Sequence, residues 1–193
     1  MASNFAPVPN TGSQIERAVI AYLKVAFGAD AALYQFNFSN DWAKRVAPLI
    51  DVLAHKSVET VPHTRNESYQ VRIEAKWKGN SEAGAPNPDS NWVSINAFIG
   101  VIMAAMSSYS ASSPVYEYVA QQITAAGRAL AVDASAGADP AQVLTAANNA
   151  DMAAFTCEYV EYKGAQRAEI SDGSLFIKEV RNFEIRAANA NVD

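Results

Sequence analysis

The sequence predicts a single α+β domain in which helices pack on one face of a mostly antiparallel sheet. Three observations predict this fold. Residues Ser68 to Lys78 alternate apolar and polar side chains over the length of a long strand, Trp92 to Tyr109 carries an apolar stripe at helical spacing, and strand-like alternation returns after residue 154. A strand with one apolar and one charged face is typical of a sheet that packs on a core on one side only.

Composition bounds the class of protein. The 193 residues suit one domain, and we expect an N-terminal arm over residues 1–12 followed by a single domain over residues 13–193. A net charge of -5 argues against a dedicated nucleic-acid binder, although it does not exclude a local basic patch. The single cysteine, Cys157, excludes an internal disulfide framework, fits a reducing compartment and is expected to be a buried strand residue.

No targeting or membrane segment is expected. The N-terminus lacks a basic region followed by an apolar one, so we predict no secretory signal. The longest apolar run, Ala97 to Met106, is about half the length that a bilayer-spanning helix requires, and we interpret it as part of a buried helix.

The first elements are a helix and a short strand. Ser13 and Glu16 have capping-box spacing, and apolar residues at helical spacing continue to Phe27, where Gly28 is expected to end the helix. Leu33 to Phe38 alternates as a short strand would. A turn is predicted at Asn40–Asp41.

The next segment leads to the long strand and a loop. Arg45 to His55 contains core-type residues but also Pro48, so a strand or extended segment at the sheet edge is favoured. After the strand Ser68 to Lys78, the glycines, prolines and small polar residues of Gly79 to Asn91 predict a surface loop.

The middle of the chain is predicted to be helical. Trp92 to Tyr109 is interpreted as the central core helix, and Val115 to Ala131 resumes helical spacing after a break. Asp139 and Pro140 begin a short alanine-rich helix that ends near Ala150. The segment at about 107–150 is treated as a helical insertion in the α+β domain.

Two strands are predicted at the C-terminal end. Phe155 to Val160 alternates before a turn at Lys163–Gly164, and Asp172–Gly173 is a second turn signal. Leu175 to Arg186 is a long closing strand whose alternation slips between Ile177 and Val180, which suggests a bulge.

The sequence offers no catalytic constellation. Only two histidines are present, His55 and His63, and their spacing fits no metal site; the nucleophile-elbow, zinc-protease, P-loop and dinucleotide fingerprints are absent. We therefore predict no enzyme activity, cofactor or metal. The acidic residues near the strands are expected to be solvated, and these are Asp51, Glu59 and Glu67. The aromatic residues of the strands are expected to fill the core rather than to stack bases, and these are Tyr34, Phe36, Phe38, Tyr69 and Trp77.

The order of these elements resembles the tail-terminator and tail-completion (head-tail joining) proteins of long-tailed bacteriophages. The resemblance lies in the initial amphipathic helix, the strand SYQVRIEAKWK, the apolar helix INAFIGVIMAAM and the terminal strand FIKEVRNFEIRAA. It covers about Ser13 to Met106 and Phe155 to Ala188, and the chain departs from the compact members in its added helices at 107–150.

The resemblance implies a virion structural protein that is assembled in the host cytoplasm. Such a subunit forms a ring, typically a homohexamer, that caps the tail tube and joins it to the head connector proteins. Genome DNA passes through the lumen without sequence readout, and no membrane is involved. Arg72, Lys76 and Lys78 are expected to face an interface or the lumen, and reversing the charge at Lys76 and Lys78 is expected to block joining without unfolding the subunit. The Gly79 to Asn91 loop and the N-terminal arm would contact adjacent rings.

Two other classes are compatible with the sequence. The chain could be another head-tail connector or minor tail protein, or a non-viral soluble binding or scaffold protein, and ring formation would discriminate the latter. An enzyme would require a pocket that holds His55 or His63 beside a carboxylate.

Overall fold

The computed structural model describes residues 11–38, 48–57, 66–78, 88–106, 115–133, 152–167 and 176–189. The elements in chain order are helix α1 (Thr11–Phe27), a 3-10 helix (Gly28–Leu33), strands β1 (Gln35–Phe38), β2 (Leu49–Lys56) and β3 (Asn66–Lys78), helices α2 (Pro88–Met106) and α3 (Val115–Asp133), and strands β4 (Phe155–Arg167) and β5 (Phe176–Asn189).

The five strands form one mixed sheet in the order β1-β2-β3-β5-β4. β1 pairs with β2 in parallel, and the other three pairings are antiparallel. The predicted α+β class with a mostly antiparallel sheet is therefore confirmed. The long amphipathic strand predicted from Ser68 to Lys78 is β3, which lies at the centre of the sheet.

One hydrophobic core lies between the sheet and the helices. α1, α2 and α3 all contribute buried side chains to it, and the apolar residues of the strands come from one side of the sheet, as the alternation of Val71, Ile73 and Ala75 in β3 predicts. Each fully buried aliphatic side chain contributes about 1.5–3 kcal/mol through loss of contact with water. Tyr34 and Phe36 pack against this core, and the ring of Tyr34 lies 4.5 Å from that of Phe98.

Hydrogen bonds fix helix α1 to the neighbouring α2 and β2. The Tyr22 hydroxyl donates to the Ala105 carbonyl of α2 over 2.7 Å, and the buried Glu16 carboxylate accepts the Ala54 N–H of β2 over 2.7 Å. The predicted capping box is wrong in its placement, because the helix begins at Thr11 and Ser13 lies inside its first turn. The predicted end is confirmed, since Gly28 has a φ of 57° that favours glycine.

Helix α3 lies within the predicted helical insertion and is an integral part of the core. Its residues Val119, Ala120 and Ile123 are buried in the same cluster as α1. Gly127 allows the close approach of α1 and α3, because a Cβ there would lie 2.9 Å from the Cβ of Ala18 and 3.0 Å from a ring carbon of Phe155.

Four local predictions need correction. The segment predicted at the sheet edge within Arg45 to His55 forms β2, which lies between β1 and β3; Pro48 precedes the strand and therefore does not interrupt its pairing. Residues Pro88 to Asn91 belong to α2 rather than to a loop, since proline is well tolerated in the first turn of a helix. The predicted turn at Lys163–Gly164 is a bulge inside β4, where Gly164 has a φ of 119°. The slip in β5 is not a bulge, because β5 pairs with β3 without a register shift.

The β5 slip has a different physical origin. Glu179 and Arg181 occupy the helix side of the sheet, opposite Ala75 and Ile73, and they form an ion pair of 2.8 Å with each other. Val180 therefore points to the other side, where it is buried. Two mutually paired charges have replaced the apolar residues that the alternation requires there.

Several predicted features lie outside the described residues: most of the N-terminal arm, the Asn40–Asp41 turn, most of the predicted Gly79–Asn91 loop, the helix from Asp139 to Ala150 and the Asp172–Gly173 turn. Among the helices that the structure describes, none combines the length and apolar character needed to cross a membrane.

Candidate functional site: the charged face of the sheet

The side of the sheet opposite the core carries a row of charged side chains. Because side chains alternate along a strand, Arg72, Glu74 and Lys76 of β3 point away from the buried Val71, Ile73 and Ala75. Strand pairing places two further charges beside them, since Asp51 of β2 lies opposite Glu74 and Lys178 of β5 lies opposite Lys76. We call this side the charged face.

Glu74 is the centre of an ion-pair network. Its Oε1 lies 2.6 Å from Arg72 Nε, and its Oε2 lies 3.1 Å from Lys76 Nζ and 2.8 Å from Lys178 Nζ. Lys76 also donates to Asp51 Oδ2. Asn37 of β1 donates to the other oxygen of Asp51 over 3.1 Å, so the network crosses four strands.

The two carboxylates of this network lie under their cations. Asp51 is 1% exposed and the Glu74 side chain 5%, whereas Lys76 is 21% exposed and Arg72 39%. Burial alone would raise the pKa of Glu74, but the hydrogen bonds and charges of Lys178 and Lys76 outweigh it and lower the pKa. Glu74 is therefore held in its charged form at neutral pH.

A second cluster extends the charged face across β4 and β5. Lys163 Nζ lies 2.5 Å from Glu161 and 3.1 Å from Glu184. The Ser68 hydroxyl donates to Glu184 over 3.0 Å, and the Arg186 guanidinium lies 5.2 Å from the centre of the Tyr159 ring, within cation–π range. The hydrogen bond from Lys163 lowers the pKa of Glu184.

The charged face is nearly balanced, with its cations outermost. Among the side chains that the structure describes, its ion pairs join five cations to four carboxylates, a net charge of +1. In each pair the carboxylate is less exposed than the cation. The cations are Arg72, Lys76, Lys163, Lys178 and Arg186, and the carboxylates are Asp51, Glu74, Glu161 and Glu184. An incoming surface would thus meet ammonium and guanidinium groups first. Such groups give specificity and orientation to a contact more than affinity.

The structure brings together two of the three predicted site residues. Arg72 and Lys76 share the charged face and are linked through Glu74, whereas the side chain of Lys78 lies outside the described residues. Lys76 is also a structural partner of a buried carboxylate. Reversing its charge would place three carboxylates together, so that change is not expected to leave the subunit intact.

Two residues of the charged face were not predicted from the sequence. The sequence predicts a solvated Asp51, but Asp51 is buried beside Lys76, and alternation gives Glu74 only as one polar position of a strand. The available signal was weak: an acidic residue between Ile50 and Val52 in a run of core-type residues. Glu67 is closer to expectation, since it is half-buried and pairs with Lys56 near the other side of the sheet.

The described residues offer little chemistry beyond ion pairing. They contain no group of three or more histidine, cysteine or acidic side chains placed to hold a metal ion. Cys157 is a buried strand residue, as predicted, and burial raises the pKa of its thiol to about 12, which keeps it protonated and unreactive at neutral pH. His55 is exposed at the end of β2.

Comparison with models of known protein families finds no match. A search among curated proteins likewise finds no significantly similar sequence.

Proposed function

We propose that this chain is a ring-forming structural protein of a tailed bacteriophage virion, the tail terminator that caps the tail tube and joins it to the head connector. The observation that carries the proposal is the two-sided sheet. All three described α-helices contribute to the core on one side. The other side carries charged side chains on β2, β3, β4 and β5, and Asn37 of β1 joins them through Asp51.

This architecture suits a ring subunit for a physical reason. A subunit of a closed ring needs a rigid body and two surfaces that fit each other. Charged groups on these surfaces fix the orientation in which two subunits meet. The helix side supplies the rigid body through its apolar core. The charged face supplies cations that can exchange a carboxylate of their own subunit for one of a neighbour.

The near balance of the charged face makes it better suited to contact with another protein than with DNA. Tight binding to a phosphate backbone requires several unpaired cations, because affinity comes from the counterions that they displace. Here Arg72, Lys76 and Lys163 each have a carboxylate within 3.1 Å or less. The charged face therefore suits a contact between subunits better than a surface that holds DNA.

The test is the molar mass of the purified chain by light scattering, with negative-stain imaging of the same sample, alone and with tail tubes. The proposal predicts rings of about six copies, on its own or at tube ends. A chain of 20.7 kDa that remains a monomer with tubes present would exclude the terminator role.

A matched pair of variants then tests the charged face. Arg72→Gln removes one of its outer cations and is expected to weaken ring assembly. Lys56→Gln removes a cation that is also exposed and also paired with a carboxylate, but one that lies on the helix side of the sheet, opposite Tyr69. Equal loss of assembly in both variants would argue against a specific role of the charged face.

A further inference from the structure

Strand β4 forms one edge of the sheet, and helix α3 covers the first part of its outer side. The Thr124 hydroxyl accepts the Cys157 N–H over 2.8 Å and lies 3.2 Å from the Cys157 carbonyl oxygen. Arg128 Nε donates to the Phe155 carbonyl over 2.9 Å. Side chains of α3 therefore occupy the positions that a neighbouring strand would otherwise take.

The pairing register shows which residues of β4 beyond Cys157 point their backbone N–H and C=O groups away from β5. We call these residues outward. Residues of an antiparallel pair alternate between facing the partner strand and facing away. Since Cys157 faces outward, the β4 residues opposite Arg186, Glu184 and Asn182 face β5. The β4 residues opposite Ile185, Phe183 and Arg181 face outward, and these are Val160, Tyr162 and Ala165.

Two bulges break the spacing of these outward residues. Glu158 and Lys163 are the extra residues of β4 at its two register shifts against β5. Outward residues are consequently three apart from Cys157 to Val160, two apart from Val160 to Tyr162, and three apart from Tyr162 to Ala165. A regular strand presents its groups at every second residue, so it could match only Val160 and Tyr162.

We propose that α3 and the two bulges close the β4 edge to strand addition by a second copy of this chain, and that Lys163 is the residue that keeps the edge closed. Without Lys163 the outward residues Val160, Tyr162 and Ala165 would be evenly spaced, and the edge would offer a regular strand on which Tyr162 is already 38% exposed. A bulge is a known means of protecting a sheet edge from self-association. The inference does not depend on the proposed function, and it places any ring contact elsewhere than on the outward backbone edge of β4.

Hydrogen exchange of the wild-type protein gives the first test. The amides of Val160, Tyr162 and Ala165 are expected to exchange rapidly at low and high protein concentration and in any assembly that forms. Amides of β4 that face β5 should be protected throughout. Protection of the outward amides that increases with concentration or on assembly would overturn the proposal.

Deletion of Lys163 gives the second test. The deletion variant is expected to double its molar mass relative to an equally concentrated wild-type sample, and its outward amides should slow by about tenfold or more. Lys163→Ala is the matched control for the edge, because it removes the ammonium group but keeps the extra residue, and its outward amides should exchange as fast as those of the wild type. A folded deletion variant with wild-type mass and fast outward amides would refute the role of the bulge. If the deletion prevents folding, the wild-type exchange pattern decides.

Discussion

Replacing Lys76 by methionine should destabilise the fold through Asp51. The Asp51 carboxylate is 1% exposed and loses its ammonium partner in this variant, while the Asn37 amide remains as a hydrogen-bond donor. Removing one partner of a fully buried ion pair costs about 3–5 kcal/mol. Because Lys76 is 21% exposed and one donor remains, we expect a loss near the lower end, about 3 kcal/mol. For a chain of this length that corresponds to a melting temperature lower by about 6–12 °C.

The assay is thermal and urea denaturation of the wild type, Lys76→Met, Asp51→Asn and the double variant. The account predicts that the double variant is more stable than Lys76→Met, because the asparagine amide leaves no buried charge without a partner. Lys56→Met provides the control for the loss of an exposed paired lysine and should keep the wild-type midpoint. A Lys76→Met variant within about 0.5 kcal/mol of the wild type would refute the reasoning, since that is the range of ordinary surface changes.

Three further predictions concern the core and the acid stability. Glu16→Ala should lower the free energy of unfolding by about 1–3 kcal/mol in urea denaturation, because the Ala54 N–H loses its acceptor, and Glu16→Gln should lose less. Gly127→Ala should destabilise the fold by about 1–3 kcal/mol, because its Cβ would overlap α1 and β4. Gly100→Ala is the control, since open space surrounds that glycine, and it should stabilise the fold by about 0.5–1 kcal/mol. Equal effects of the two substitutions would contradict the packing described. The pKa of Glu74 is lower in the folded state than in the unfolded state. The contribution of Glu74 to stability is therefore present above its unfolded pKa of about 4.3 and is lost as the pH falls through the folded value. Glu74→Gln should reduce this acid dependence of stability in a pH series of melting curves.

Much of the fold follows from hydrophobic periodicity. The alternation of β3 is visible in the sequence because one side of that strand meets the core and the other does not, and the helical stripes of α2 and α3 have the same origin. Gly28 marks the end of α1 because no other residue adopts its backbone conformation as readily. These features depend on short-range patterns alone.

The features that the sequence left undetermined depend on contacts between distant segments. Asp51 is buried because strand pairing places it beside Lys76, 25 residues away in the chain. Glu179 and Arg181 sit on the apolar side of the sheet because each neutralises the other. The Lys163–Gly164 dipeptide has the composition of a turn, but β5 pairs on both sides of it and converts it into a bulge. Periodicity carries no information about such partners.

The candidate site shows the same division. The alternation of side chains along β3 is enough to predict that Arg72 and Lys76 lie on one side of that strand. It does not predict that Glu74 and Asp51 lie between and beneath them, because those contacts depend on the register of β2 and β5. The difference matters for function, since the cations belong to a nearly balanced network and not to a free basic patch.

The measurement that most directly tests the ring proposal is the molar mass of the wild type and of Arg72→Gln, each in the presence of tail tubes. The account predicts rings of about six copies for the wild type and reduced assembly for a variant that keeps the wild-type circular dichroism spectrum. A wild-type chain that stays at 20.7 kDa, or a variant that assembles as well as the wild type, would contradict it.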